Sequence, residues 1–136
     1  MNRALQQYRK VDAHGGVQDA DPHRLIQMLF RGALDRIAAA RGCIANGDVA
    51  GKGEQIGKAI SILGGLRDSL DLERGDLARQ LDELYDYMGR RLLLANLHGD
   101  VALLDEVTAL LAPLAGAWDQ VREQVVPPTT EAGVAS

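Results

Sequence analysis

Hydrophobic residues recur every three or four positions in four long stretches, which begin near Asp21, Asp48, Asp76 and Asp100. A helix turns about 100° per residue, so this spacing places the apolar side chains on one helical face. The pattern therefore predicts four amphipathic helices, each with an apolar stripe that faces a common core. The predicted stripe of the third helix comprises Leu77, Leu81, Leu84, Met88, Leu92 and Ala95.

Short junctions separate the four stretches. Gly47, Gly75 and Gly99 each precede an aspartate. A glycine can adopt the left-handed conformation that ends one helix, and the aspartate can cap the next. Short loops between long helices favour antiparallel neighbours. We therefore predict an all-α fold, an antiparallel up-down-up-down four-helix bundle with a short N-terminal helical segment.

The same pattern divides the chain into three parts. Residues 1–20 are predicted to be a separate N-terminal segment, with a short helix that ends in a glycine linker. Residues 21–125 contain the four stretches and form the bundle. Residues 129–136, which follow Pro127 and Pro128, are small and polar, so we expect residues 126–136 to form a disordered tail.

Composition and charge exclude several classes of function. The chain is 46% hydrophobic but only 4% aromatic, so its core must be mainly aliphatic. The net charge is −4 and no basic block occurs, which argues against nucleic-acid binding and attachment to anionic membranes. The sequence contains no uninterrupted run of about 18 apolar residues, so we predict no membrane-spanning helix. The single Cys43 allows no disulfide within the chain, which suits a cytoplasmic location.

Residues with catalytic or metal-binding potential do not form a recognisable site. The histidines are His14, His23 and His98, and none follows a glutamate by three positions, as a di-iron helical bundle requires. No glycine-rich phosphate loop or nucleophile elbow is present. We therefore expect a binding protein, not an enzyme, with no cofactor and no metal.

One catalytic alternative stays open at this stage. Some helical-bundle ribonucleases use an arginine to bind phosphate and a nearby histidine as the acid or base. Arg91 and His98 have a comparable spacing, although no basic surface surrounds them.

Three leucines on the third helix point to a docking surface. Leu93, Leu94 and Leu97 fall on the side of the helix opposite its apolar stripe, and Met28 lies off the stripe of the first helix. A cluster of apolar side chains outside the core often marks a binding site. The alternatives are that they are ordinary surface leucines or that the N-terminal segment covers them. Tyr85 flanks the stripe and suits a partly wet interface.

Several motifs resemble the FliS family of flagellar secretion chaperones, which bind flagellin. Residues 21–34, DPHRLIQMLFRGAL, resemble the first-helix signature of the family, with Phe30 where tyrosine is usual. Residues 70–75 and 84–88 resemble its middle motif. Further similar positions are Tyr8, Leu92, Asn96, Asp100, Ala117 and Trp118.

This resemblance implies a cytoplasmic export chaperone. Such a protein would bind the disordered C-terminal segment of flagellin, prevent premature polymerisation and keep flagellin competent for type III flagellar secretion. We expect the Leu93→Asp and Leu97→Asp pair to abolish this binding. The partner-binding residues expected from the pattern and the resemblance together are Tyr8, Val11, Met28, Tyr85, Leu93, Leu94, Asn96 and Leu97.

The resemblance also suggests a role for the N-terminal segment. Tyr8 and Val11 would lie over the binding surface when no flagellin is present, so deletion of residues 2–14 should leave the affinity unchanged or higher. Contact with the flagellar export gate and a homodimer of the free protein are further expected partners. An adaptor bundle for a different client fits the same leucine cluster and remains the main alternative.

Overall fold

The computed structural model describes residues 21–125 and shows an all-α fold, as predicted. The predicted N-terminal helix and disordered tail lie outside the described residues. A short 3-10 helix, Leu72–Arg74, connects the second and third helices. The helices are α1 (Pro22–Ala45), α2 (Val49–Asp68), α3 (Asp76–His98) and α4 (Val101–Val125).

Aspartates cap three of the four helices as expected. The Asp21 carboxylate accepts a hydrogen bond from the Arg24 backbone N–H at 2.6 Å, and Pro22 occupies the first helical position. Asp48 accepts from the Gly51 N–H at 2.9 Å. In the same way, Asp100 accepts from the backbone N–H two residues later at 2.9 Å. These bonds satisfy amide groups that have no partner within the helix.

The start of α3 differs from the prediction. Gly75, with a φ of 132°, is the residue before the helix, and no side chain caps it. Asp76 lies inside the first turn and pairs with Arg79 at 3.1 Å. The expected capping role of Asp76 is therefore wrong, because the chain turns through the glycine one residue earlier. Gly47 and Gly99 have φ values of 71° and 63°, which confirms that glycines end the preceding helices.

Contacts between side chains define the order of the helices. His23 at the start of α1 contacts Trp118 near the end of α4, whereas Arg41 near the end of α1 pairs with Asp105 near the start of α4. These two helices are therefore antiparallel. The helices α1 and α3 each pack against α2 and α4, so the four helices follow one another around the bundle.

The core is aliphatic, as the composition predicts, and draws on all four helices. Among its fully buried side chains are Leu29, Ile37, Ile56, Leu63, Leu66, Met88, Leu92, Leu104, Val107 and Leu111. Among the described residues, one helical segment, Val101–Val121, is long and apolar enough to cross a membrane by length and composition alone. In this segment Leu104, Val107 and Leu111 are buried in the core, and Leu103, Leu110 and Leu114 are partly buried against it.

Candidate functional site

An open apolar groove lies at one end of the bundle. It has a volume of about 810 Å³ and is lined by the start of α1, the end of α2, the start of α3 and the last turns of α4. We call it the apolar groove. Its lining includes Leu77, Leu81, Tyr85, Leu114, Trp118 and Val121.

The groove is open because α2 does not extend far enough to pack against the first turn of α3. Arg67 in the last turn of α2 binds Asp82, so α2 ends at about that level of α3. Leu77 lies five residues earlier, about 7–8 Å along the helix axis. It is 69% exposed. The prediction that Leu77 belongs to the core is therefore wrong, because no neighbouring helix covers it.

His23 and Trp118 form one wall of the groove. Their rings stack with centroids 4.5 Å apart. The His23 Nε2–H donates to the Trp118 carbonyl oxygen at 2.9 Å, and the Trp118 Nε1–H donates to the His23 carbonyl oxygen at 3.0 Å. This reciprocal pair ties the start of α1 to the end of α4. The His23 Nδ1 atom is buried and has no hydrogen-bond partner among the described residues.

Tyr85 lines the groove with an unpaired hydroxyl. The residue is only 4% exposed, and its hydroxyl makes no hydrogen bond within residues 21–125. Burial raises the pKa of Tyr85 to about 12, because the phenolate would lose its hydration. Tyr85 therefore stays neutral and keeps a donor available at neutral pH. The sequence predicted a residue at the edge of the stripe, whereas the structure buries it.

Tyr87, two residues later, has the opposite environment. Its hydroxyl donates to a Glu106 carboxylate oxygen, and the Arg91 Nε–H donates to the other oxygen at 2.8 Å. The hydrogen bond to Glu106 raises the pKa of Tyr87, and the bonds from Tyr87 and Arg91 lower the pKa of Glu106. This network joins α3 to α4.

The leucine patch, which consists of Leu93, Leu94 and Leu97, lies further along α3. These side chains are 57%, 38% and 74% exposed. Residues three and four apart are neighbours on a helix surface, so the three leucines are adjacent. Leu97 lies twelve residues beyond Tyr85 of the groove, about 18 Å along the helix.

The other proposed site residues have different surroundings. Met28 on α1 and Asn96 on α3 are half-buried. The Asn96 carbonyl oxygen accepts from the Lys52 ammonium at 2.8 Å, which joins α3 to the start of α2. Tyr8 and Val11 lie outside the described residues. The eight predicted partner-binding residues thus stay predictions, and the described ones do not form a single cluster, since Tyr85 belongs to the groove and the leucines to the patch.

The sequence interpretation missed the groove itself. Leu77 and Val121 sit at the outer ends of their stripes, and Val121 is 40% exposed. The sequence feature that could have indicated the groove is the seven-residue connection between α2 and α3, residues 69–75, because it leaves the start of α3 without a partner helix.

The surroundings of Arg91 and His98 do not favour the ribonuclease alternative. The Arg91 guanidinium is bound to Glu106, so a phosphate would have to compete with that carboxylate. His98 is exposed in the last turn of α3, about 10 Å further along the axis. Residues 21–125 also contain no group of three side chains that could hold a metal ion.

Comparisons with known proteins give one consistent family. Residues 4–125 match the family described as Flagellar protein FliS. The chain is 51% identical over 120 residues to the flagellar secretion chaperone FliSB of Pseudomonas aeruginosa, covering 88% of this chain and 95% of that protein. It is 46% identical over 119 residues to the flagellar secretion chaperone FliS of Salmonella typhimurium, covering 86% and 88%.

A more distant relative extends the same relationship. The flagellar secretion chaperone FliS of Bacillus subtilis is 33% identical over 117 residues, covering 86% of this chain and 87% of that protein. The matches span nearly the whole four-helix bundle, including the groove and the leucine patch. The chain therefore belongs to the FliS family of flagellar proteins.

Proposed function

We propose that this protein is a cytoplasmic export chaperone that binds the disordered C-terminal segment of flagellin. Its relatives are named flagellar secretion chaperones, and membership in a chaperone family implies binding rather than catalysis. The observation that supports a client site in this chain is the apolar groove, whose lining is almost entirely hydrophobic. In this interpretation, apolar side chains of a client helix dock in the groove.

Two separate apolar surfaces suit a client that is disordered before binding. Such a segment loses conformational entropy when it becomes ordered, so it needs a large contact area. Each apolar side chain that leaves water contributes about 1.5–3 kcal/mol. Tyr85 of the groove and Leu97 of the leucine patch lie about 18 Å apart along α3 and on different sides of that helix. A segment that leaves the groove and wraps around α3 would contact both surfaces, and the leucine patch would then supply the second part of the site.

Binding of the C-terminal segment would have two consequences for flagellin. A C-terminal segment held on the bundle is unavailable for packing against other flagellin subunits, which prevents premature polymerisation. It also stays outside a stable fold, which keeps the client competent for type III flagellar secretion.

Other partner predictions accompany this proposal. Tyr8 and Val11 would cover part of the surface in the free protein, so removal of residues 2–14 should leave the affinity for flagellin unchanged or higher. A homodimer through the same apolar surface and contact with the export gate are predicted as well. An adaptor role for another client would use the same groove and differs only in the partner.

A polymerisation assay tests the proposal directly. Monomeric flagellin is induced to polymerise with and without an equimolar amount of this protein, and growth is followed by light scattering. We expect suppression with full-length flagellin and no complex with flagellin that lacks its C-terminal segment. Equal binding to both forms of flagellin would contradict the proposed site on the client, and no binding to either would favour the adaptor alternative.

A further inference from the structure

The Tyr85 hydroxyl is a polar group in an otherwise apolar part of the groove. The side chain is nearly completely buried, yet its hydroxyl has no hydrogen-bond partner among the described residues. In the described part of the chain, His23 Nδ1 is the one fully buried side-chain atom without a hydrogen-bond partner, so the Tyr85 hydroxyl reaches the surface of the groove. Phenylalanine would fill almost the same volume but would present no donor to the groove. The hydroxyl is therefore a donor that a ligand seated in the groove can use, and a ligand that leaves it unpaired would bind less well.

Tyr87 shows that the same helix can pair a phenol internally. Its hydroxyl donates to Glu106, at a position that does not line the groove. The two tyrosines thus differ in whether their hydroxyl is available to a ligand. The Tyr87 hydroxyl is bonded to another helix of the bundle, whereas the unpaired Tyr85 hydroxyl belongs to the groove wall.

The chemistry of the groove limits what can pair with Tyr85. Apolar walls favour apolar side chains, and polar side chains would lose hydration there. Carbonyl oxygens in the middle of a client helix are already bonded to amides one turn later. The last four carbonyl oxygens of any helix have no partner within the helix. A client can therefore offer an acceptor at a helix end without placing a polar side chain in the groove.

We propose that the Tyr85 hydroxyl donates a hydrogen bond to a free main-chain carbonyl oxygen at the C-terminal end of a client helix seated in the apolar groove. This inference rests on the proposed client-binding function. It makes Tyr85 a specificity-determining residue that selects where a bound helix ends, whereas the surrounding leucines select only for apolar side chains.

The Tyr85→Phe variant tests the inference, with Tyr87→Phe as its matched control. Calorimetry with a peptide of the flagellin C-terminal segment should show an affinity about twofold to tenfold lower for Tyr85→Phe, the usual range for one lost hydrogen bond. Its thermal midpoint should be unchanged, because the Tyr85 hydroxyl makes no hydrogen bond within the described bundle. Tyr87→Phe should show a lower midpoint and unchanged affinity.

The outcomes separate this inference from the proposed function. If the wild-type protein does not bind the peptide, both are overturned. If Tyr85→Phe binds as tightly as the wild type, or if Tyr87→Phe loses as much affinity, only the role of the Tyr85 hydroxyl is overturned.

An amide-to-ester scan of the peptide identifies the acceptor. An ester carbonyl is a weaker hydrogen-bond acceptor than an amide carbonyl. We expect one peptide position at which the ester weakens binding to the wild type but not to Tyr85→Phe. Equal effects on both proteins at every position would overturn the main-chain contact.

Discussion

The apolar groove and the leucine patch both expose hydrophobic side chains, but they are built in different ways. The groove is formed by the ends of four helices and contains an unpaired tyrosine hydroxyl and an unpaired histidine nitrogen. The leucine patch is the outer side of α3 alone. A recessed surface can enclose a partner and impose direction on it, whereas a convex strip mainly adds apolar contact area. We therefore expect the groove to dominate affinity and specificity.

The largest effect should come from charge in the groove. The double variant Leu77→Asp with Val121→Asp should lower the affinity for flagellin at least about a hundredfold, because two apolar contacts worth about 1.5–3 kcal/mol each are lost. Both side chains are exposed, so the helical circular dichroism should not change. Calorimetry measures the affinity.

Leu72→Asp is the matched control for that variant. Leu72 is also an exposed leucine near this end of the bundle, but it does not line the groove. Its affinity should stay within about twofold of the wild type. Equal losses for the control and the groove variant would mean that added negative charge, rather than the groove, weakens binding.

Adjacent leucines on α3 should separate stability from binding. Leu92 is fully buried, so Leu92→Ala should lower the free energy of unfolding by about 2–5 kcal/mol. Leu93 is exposed, so Leu93→Ala should change it by less than about 0.5 kcal/mol. Urea unfolding measures both. A large loss in Leu93→Ala would show that the patch packs within the protein and is not available to a partner.

Charge in the leucine patch should have a smaller effect on affinity than charge in the groove. The sequence alone predicted that Leu93→Asp with Leu97→Asp would abolish binding. With the groove as a second surface, we expect this variant to weaken binding about tenfold or more, because the patch supplies only part of the contact area. Thermal unfolding should be unchanged, and calorimetry again measures the affinity. Wild-type affinity in this variant would restrict the client site to the groove.

The smallest expected effect concerns the ion pair beside the groove. The hydrogen bond from Arg67, at 2.8 Å, lowers the pKa of Asp82. A carboxyl with a lowered folded-state pKa stabilises the protein above its unfolded pKa of about 4, and this contribution disappears as the pH falls through the folded value. Asp82→Asn should therefore lower the thermal midpoint slightly at pH 7.

Measurement in acid completes that test. As the pH falls from 7 through the lowered pKa of Asp82, the wild-type carboxyl becomes protonated as well, so the difference in thermal midpoint between wild type and variant should shrink. Glu83→Gln is the control, since Glu83 is exposed and forms no ion pair among the described residues. A constant difference across this range would show that the variant acts through packing instead of charge.

The fold could be predicted from the sequence because local signals agree with one another. The spacing of apolar residues indicates the four helices, and Asp21 and Asp48 cap them as their positions suggest. The exception is Asp76, where a glycine with positive φ takes the position before the helix. Such errors are confined to one residue at a helix end, since capping depends on the backbone path through the loop.

The candidate site was only partly predictable. Helical periodicity identifies the exposed side of a single helix, so it predicted that Leu93, Leu94 and Leu97 lie outside the core. The groove depends on where neighbouring helices end relative to one another, which periodicity does not report. Leu77 belongs to the stripe by angle but lies beyond the end of α2. Tyr85 is buried because it packs in the core with residues of the neighbouring helices, which the pattern of a single helix does not report.

Site-specific photocrosslinking tests the central claim most directly. A benzophenone amino acid is placed at position 77 in the groove, at position 97 in the leucine patch and at position 58, an exposed lysine on α2, as the control. With flagellin present, we predict strong crosslinks from position 77, weaker ones from position 97 and none from position 58. A complex that forms with full affinity but gives no crosslink from position 77 would contradict a client site in the apolar groove.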